Sequence, residues 1–179
     1  MPDLPNRQGD DSQPAFVPHI IDVEASGFGS RSYPIEIGLA LANGKRYCAL
    51  VAPQPDWTHW DGDAQKLHGL SREQIIELGK PPRVVAAELN ALLRTQTVYS
   101  DGWVVDYPWL RTLFDAAKQE MSFRVSPLEQ LLKEQDFTGW DETKHQLGAR
   151  QPMQRHRAST DALLIQQTYV ALQSGGVDP

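Results

Sequence analysis

Four acidic residues and one histidine, spread over three stretches of the chain, have types and spacings suited to chemistry on a phosphate ester. Asp22 and Glu24 end an apolar run, His19-Ile20-Ile21-Asp22-Val23-Glu24. Two positions apart on a strand, they point the same way. Burying two carboxylates side by side is costly unless a cation offsets their repulsion, and carboxylates are natural ligands for hard Mg²⁺ or Mn²⁺. Asp106 opens Asp106-Tyr107-Pro108-Trp109-Leu110, and His156 and Asp161 bound His156-Arg157-Ala158-Ser159-Thr160-Asp161. Together, in this order, the five residues describe a site for two divalent cations and a general base, which is equipment for hydrolysing a phosphodiester.

Each residue also has an ordinary structural reading. Asp22 and Glu24 could be a charged strand end at solvent. Asp106 could cap a helix, and Asp101 competes with it because it directly follows Thr97-Val98-Tyr99-Ser100. His156 could be a surface residue in an Arg-rich turn, and Asp161 an early-helix charge favoured by the helix dipole. His156 and Asp161 would lie roughly 140° apart on one regular helix. Joint use therefore places His156 on the lead-in or first turn and Asp161 on the helix proper.

Periodicity and turn residues set the elements that must hold these groups. Phe16 to Val23 reads as a buried strand, broken by Ser26-Gly27-Phe28-Gly29-Ser30. Ile35 to Leu41 is a second strand, Asn43-Gly44 a hairpin turn, and Arg46 to Val51 a third strand that stops before Pro53. Ser71-Arg72-Glu73-Gln74 is a capping start for a short helix. Arg83 to Arg94 has helical spacing after Pro81-Pro82. Thr97 to Ser100 is a short strand. A helix is predicted from Asp106 to Lys118 with Leu110, Leu113, Phe114 and Ala117 inward, and a fifth strand from Ser122 to Val125. Helices are expected over 127–134 and 138–147, and a last one over 159–172 with Leu163, Leu164, Gln167 and Val170 packed. The predicted class is α/β: a mixed sheet, with a three-stranded antiparallel meander plus parallel strands, flanked by helices.

The chain has 179 residues, 40% hydrophobic and 22% charged, which suits a globular domain with a real core. The expected domain covers 15–173, with loose tails at 1–14 and 174–179. Net charge is −6, from 23 acids against 17 bases. That counts against a nucleic-acid binder, but less so if several acids are ligands, because the ions' own charge belongs in the local balance. No apolar run approaches the ~20 residues that span a bilayer, so no membrane association is expected, and the N-terminus has no secretory pattern. The single Cys48 excludes an internal disulfide and a multi-Cys metal site, and a buried strand thiol is its expected role. These features point to a cytoplasmic protein.

The joint pattern resembles the DEDDh 3′–5′ exonucleases of the RNase H-like superfamily, a group that includes RNase T, oligoribonuclease and polymerase proofreading exonucleases. It rests on Ile21-Asp22-Val23-Glu24-Ala25-Ser26-Gly27-Phe28 with Pro34-Ile35-Glu36-Ile37-Gly38, on Tyr99 to Leu110, on His156 to Ala162, and on the turn Lys66-Leu67-His68-Gly69-Leu70-Ser71. The resemblance implies that Asp22, Glu24, Asp106 and Asp161 hold two Mg²⁺ or Mn²⁺ ions, that His156 is the general base, and that Glu24 shares in catalysis. It favours Asp106 over Asp101 because Trp109-Leu110 follows at the expected offset.

It also implies a substrate of single-stranded DNA or RNA. Ser26, Gly27 and Phe28 would line a pocket for the terminal nucleotide, with His68 beside it. Arg150, Arg155 and Arg157 form a basic cluster suited to phosphates. Among the five tryptophans, Trp103 is the candidate for substrate contact, and Trp109 is expected to face the core. Two departures stand out: Asp101-Gly102 occupies the place where the family usually carries His-Asn or Ser-Asn, and Ala25-Ser26 replaces Thr-Thr or Met-Thr. A homodimer is allowed, since some members are dimers. The competing readings are a non-catalytic nucleic-acid-binding module that kept the fold, and an RNase H-like endonuclease, against which the His156-to-Asp161 spacing argues.

Overall fold

A computed structural model of the protein describes residues 16–150 and 156–174. β1 (His19–Ala25), β2 (Pro34–Ala40) and β3 (Arg46–Leu50) form the antiparallel meander. β4 (Thr97–Ser100) and β5 (Arg124–Pro127) add in parallel on the other side of β1, giving the order β3-β2-β1-β4-β5. Between and after them run α1 (Gly62–His68), α2 (Arg72–Leu78), α3 (Pro82–Leu93), α4 (Trp103–Ala117), a 3₁₀ turn (Leu128–Leu131), α5 (Glu134–Arg150) and α6 (Ala158–Gln173). The α/β class with a mixed sheet is the one the sequence predicts.

The central strand packs against core on both faces. Ile21 and Val23 join Ile37 and Leu39 of β2 in a core closed by Leu89 and Leu93 of α3 and Leu110, Leu113 and Phe114 of α4. On the opposite face Ile20 meets Ala162, Ile165 and Tyr169 of α6. Each such buried aliphatic side chain contributes about 1.5–3 kcal/mol. Strand alternation puts Asp22 and Glu24 on the same face as Ile20, under the start of α6.

Two residues of β2 seat that helix. Gly38 pairs with Asp22 across the ladder, and a Cβ on it would fall 2.1 Å from the Ala158 carbonyl carbon and the Ser159 nitrogen. Glu36, opposite Glu24, is 0% exposed. It accepts hydrogen bonds from the Ala158 backbone at 2.9 Å and from Arg157 Nε at 3.0 and 3.1 Å. Arg157 Nη2 completes a two-pronged contact.

Several expectations need correction. α4 begins at Trp103 rather than Asp106, because Pro108 sits inside the helix instead of in its first positions. The two short helices expected over 127–134 and 138–147 are a 3₁₀ turn and one continuous α5, which carries Gly139 in its interior. α1 has no apolar period to announce it; its signal is the cap, Asp61, which accepts from Asp63 N at 2.8 Å and Ala64 N at 3.4 Å. Cys48 is exposed on edge strand β3 rather than buried, with its thiol donating to Glu36 Oε1 at 3.2 Å. Apart from Ser174, both expected tails lie outside the described residues.

Gly38→Ala should force α6 off the sheet. We expect a stability loss at or above the upper end of the ~1–3 kcal/mol typical of overpacking, measured by urea unfolding. An Ala variant as stable as wild type would contradict this seating.

Candidate metal centre

The five candidate residues converge in a single cleft of about 380 Å³ at the end of β1. Asp22 and Glu24 come from β1. Asp106 comes from the first turn of α4, where it is buried rather than capping. Its carboxylate accepts a hydrogen bond from the Ser100 hydroxyl at 2.5 Å, and Ser100 Oγ in turn accepts from Gly102 N at 3.0 Å. Asp161 lies in the first turn of α6. His156 is in the lead-in, with φ at +59°, a conformation that costs energy for a non-glycine residue. Ligand atoms of Glu24, His156 and Asp161 lie within 4.8 Å of one another.

The electrostatics are those of a crowded, buried acid cluster. Asp22 is held well above the ordinary carboxylate range, chiefly by burial and then by Asp106 and Glu24. Glu24 is pushed up to about 7 by burial, with Asp161 and Glu36 adding and Arg157 opposing. Asp106 also rises to about 7 through burial, which the Ser100 hydrogen bond counters and Asp101 and Glu24 reinforce. A divalent cation inverts this logic by favouring the ionised forms. Four carboxylates with one imidazole are a hard, oxygen-rich donor set of the type that suits Mg²⁺ or Mn²⁺, so these side chains fit such ions.

The neighbouring substrate candidates divide. Gly27 and Phe28 line the cleft. Gly27 has φ +147°, and its Cβ would lie 2.7 Å from both His59 Cε1 and Asp61 Cβ, so only glycine fits there. Phe28 is 69% exposed, with its ring 6.1 Å from that of Trp109. Ser26 is buried behind them. Its hydroxyl accepts from Tyr33 N at 3.2 Å and lies 3.4 Å from His59 Nδ1. His68 ends α1 and lines the cleft; its Nδ1 accepts from Leu70 N at 3.1 Å, while Nε2 is buried with no partner among the described residues.

Two candidates sit elsewhere. Trp103 lies outside the cleft: its indole donates to the Val125 carbonyl at 3.3 Å and its ring stacks on Tyr107 at 5.3 Å. Trp109 takes the cleft-lining position instead, one edge in the core and Nε1 donating to Ser32 Oγ at 2.8 Å. Arg157 engages Glu36 through Nε and Nη2, with its side chain still partly exposed. Arg155 lies outside the described residues.

Ser100 and Lys144 are additions that sequence reasoning passed over. Lys144 reaches the cleft from α5 and pairs with Asp101 at 2.5 Å. Ser100 was legible as the residue ending the strand before Asp101. Nothing in the polar pattern of α5 marks Lys144.

The sheet order and the helices on both faces define an α/β fold with a mixed sheet. The chain is similar to Escherichia coli Exonuclease I in complex with a dA16 oligonucleotide, at TM-score 0.69 and 12% identity, covering 87% of this chain and 40% of that one. It is also similar to the zinc-bound E. coli Exonuclease I–single-stranded DNA complex, at TM-score 0.65 and 12% identity, over 88% of this chain and 40% of that one. A moderately thermophilic Exonuclease I from Methylocaldum szegediense aligns at TM-score 0.53 and 13% identity, over 68% and 29% of the respective chains. The chain thus spans about 40% of the length of the first of these structures. No protein-family model and no curated protein matches the sequence. Among the described residues no helix is long and apolar enough to cross a membrane.

Two measurements follow from this geometry. Arg157→Ala strands a fully buried Glu36 carboxylate, and the expected loss is about 3–5 kcal/mol in urea unfolding; a loss near zero would leave Arg157 free for another role. The second concerns pH. Folding favours the protonated forms of Glu24 and Asp106, whose values of about 7 lie above the ordinary range. Their stabilising contribution is complete below the ordinary carboxylate range and is lost as pH rises through about 7. The metal-free protein should therefore lose Tm from these groups between pH ~5 and ~8, and the Tm gain on adding Mn²⁺ should grow over the same window. A Tm indifferent to Mn²⁺ at every pH would argue against a metal centre.

Proposed function

We propose that the chain is a Mg²⁺- or Mn²⁺-dependent 3′–5′ exonuclease that hydrolyses single-stranded DNA or RNA from the 3′ end. The observation that carries this reading is the convergence of Glu24, His156 and Asp161 within 4.8 Å in a cleft that also holds Asp22 and Asp106. The likeness to Exonuclease I structures in complex with dA16 and dT13 oligonucleotides supports a single-stranded substrate.

Asp22, Glu24, Asp106 and Asp161 hold two cations. When bound, such ions would supply Lewis acidity for a water and charge stabilisation for the leaving 3′-oxygen. His156, exposed at the cleft mouth, accepts the proton of the attacking water on its imidazole, with Glu24 beside it. Ser100 fixes the orientation of Asp106. The terminal nucleotide lies against the Gly27 backbone, with its base over Phe28, and His68 Nε2 is the polar group left to meet its sugar or base. Ser26 supports this turn from behind.

End-labelled single-stranded DNA and RNA, incubated with Mg²⁺, Mn²⁺ or chelator, test the reading. Mononucleotides should appear stepwise from the 3′ end only with metal, and His156→Ala should slow release at least ~100-fold. Asp22→Ala should reduce it to near background. Binding without metal and without any cleavage would make the chain a non-catalytic nucleic-acid-binding module. Internal cuts would make it an endonuclease.

A further inference from the structure

We infer that Lys144 grips a backbone phosphate on the 5′ side of the scissile bond, and that Asp101 is its positioning residue rather than a metal ligand. This rests on the exonuclease reading for the direction of the strand. Lys144 is the only lysine or arginine among the described residues lining the cleft, where it faces five carboxylates and the imidazoles of His68 and His156. A polyanion entering that cleft meets one fixed side-chain cation among these residues.

Asp101 sits level with the cluster. β4 runs parallel to β1 with His19 opposite Val98 and Ile20 opposite Tyr99, so continuing the register brings Asp101 beside Asp22. Its charge reaches both Asp22 and Asp106. Yet its carboxylate is committed to Lys144 at 2.5 Å, with each side chain about one-quarter exposed. An ammonium has three donors. One goes to Asp101, and the others remain for phosphate oxygens. Asp101 thus holds the long lysine side chain in one place without consuming it.

Position gives the polarity. The terminal-nucleotide candidates, Gly27 and Phe28, lie beyond the end of β1, five and six positions after Asp22. Lys144 is held by Asp101, which the continued β1–β4 register sets beside Asp22. A strand with its 3′ terminus at Phe28 passes the acid cluster first and then brings a preceding phosphate to Lys144.

The test is equilibrium binding of a 5′-fluorescein-labelled ten-nucleotide oligothymidylate, read by anisotropy in Ca²⁺ over a range of salt. Lys144→Met should weaken binding about tenfold and lower the slope of log affinity against log salt by about 0.7, one single-strand phosphate contact. Lys144→Arg should restore both, which a merely structural role would not require. Asp101→Asn should weaken binding about two- to threefold with unchanged Mn²⁺ affinity by calorimetry. Unchanged affinity and slope in Lys144→Met overturn the proposal, as does a tenfold loss of Mn²⁺ affinity in Asp101→Asn or a wild-type protein that binds no oligonucleotide at low salt. Binding needs no turnover. A wild type that cleaves nothing but shows the Lys144 effect sinks the exonuclease reading alone, and an active enzyme indifferent to Lys144 sinks this one alone.

Discussion

The contact between Glu36 and the start of α6 is the constraint on which the site depends. A carboxylate with no exposure sits in the middle of the sheet face and would be prohibitively costly unpaired. Arg157 and the Ala158 N–H satisfy it together, so the chain entering α6 has one place to go. Replacing such a pair by apolar residues of similar volume is often neutral for stability. Its value here is registry: it fixes which residues of α6 face β1. With Gly38 allowing backbone contact, Asp161 and His156 are delivered beside Glu24, more than a hundred positions away in sequence.

That arrangement concentrates like charge. Asp22, Glu24, Asp106 and Asp161 share a partly enclosed cleft, and three of the four are driven toward their neutral forms by burial and by one another. Other features confine this frustration. Ser100 donates to Asp106, Arg157 neutralises Glu36 next to Glu24, and Lys144 neutralises Asp101 next to Asp22. Glu36 and Asp101, the two non-candidate carboxylates beside the cluster, each have a cation of their own. Burial and mutual repulsion thus act together on Asp22, Glu24 and Asp106, and a bound cation would relieve both.

The elements were largely legible because they obey simple periods. β4 was readable to the residue from Thr97 to Ser100, and the hairpin at Asn43-Gly44 from its turn chemistry. The failures have equally simple causes. Pro108 favours a first-turn position, so the start of α4 was read three residues late and Asp106 looked like a possible cap. α1 is short and polar, and its only mark is a cap that any loop aspartate could mimic. α5 carries few apolar residues and two glycines, Gly139 and Gly148, so its continuity was hidden.

Local sequence determined that Asp22 and Glu24 share one strand face, that His156 precedes a helix while Asp161 lies within it, and that the sheet is mixed. These are matters of strand and helix period, which neighbours in sequence settle. Which charges are spent inside was decided by the folded chain. Arg157 reads as a phosphate contact until Glu36 is seen beneath it, Trp103 as a platform until its indole is found on Val125, and Lys144 as a solvated helix lysine until Asp101 meets it. Each depends on a partner from a distant element, set by packing and burial, and no spacing along the chain encodes it.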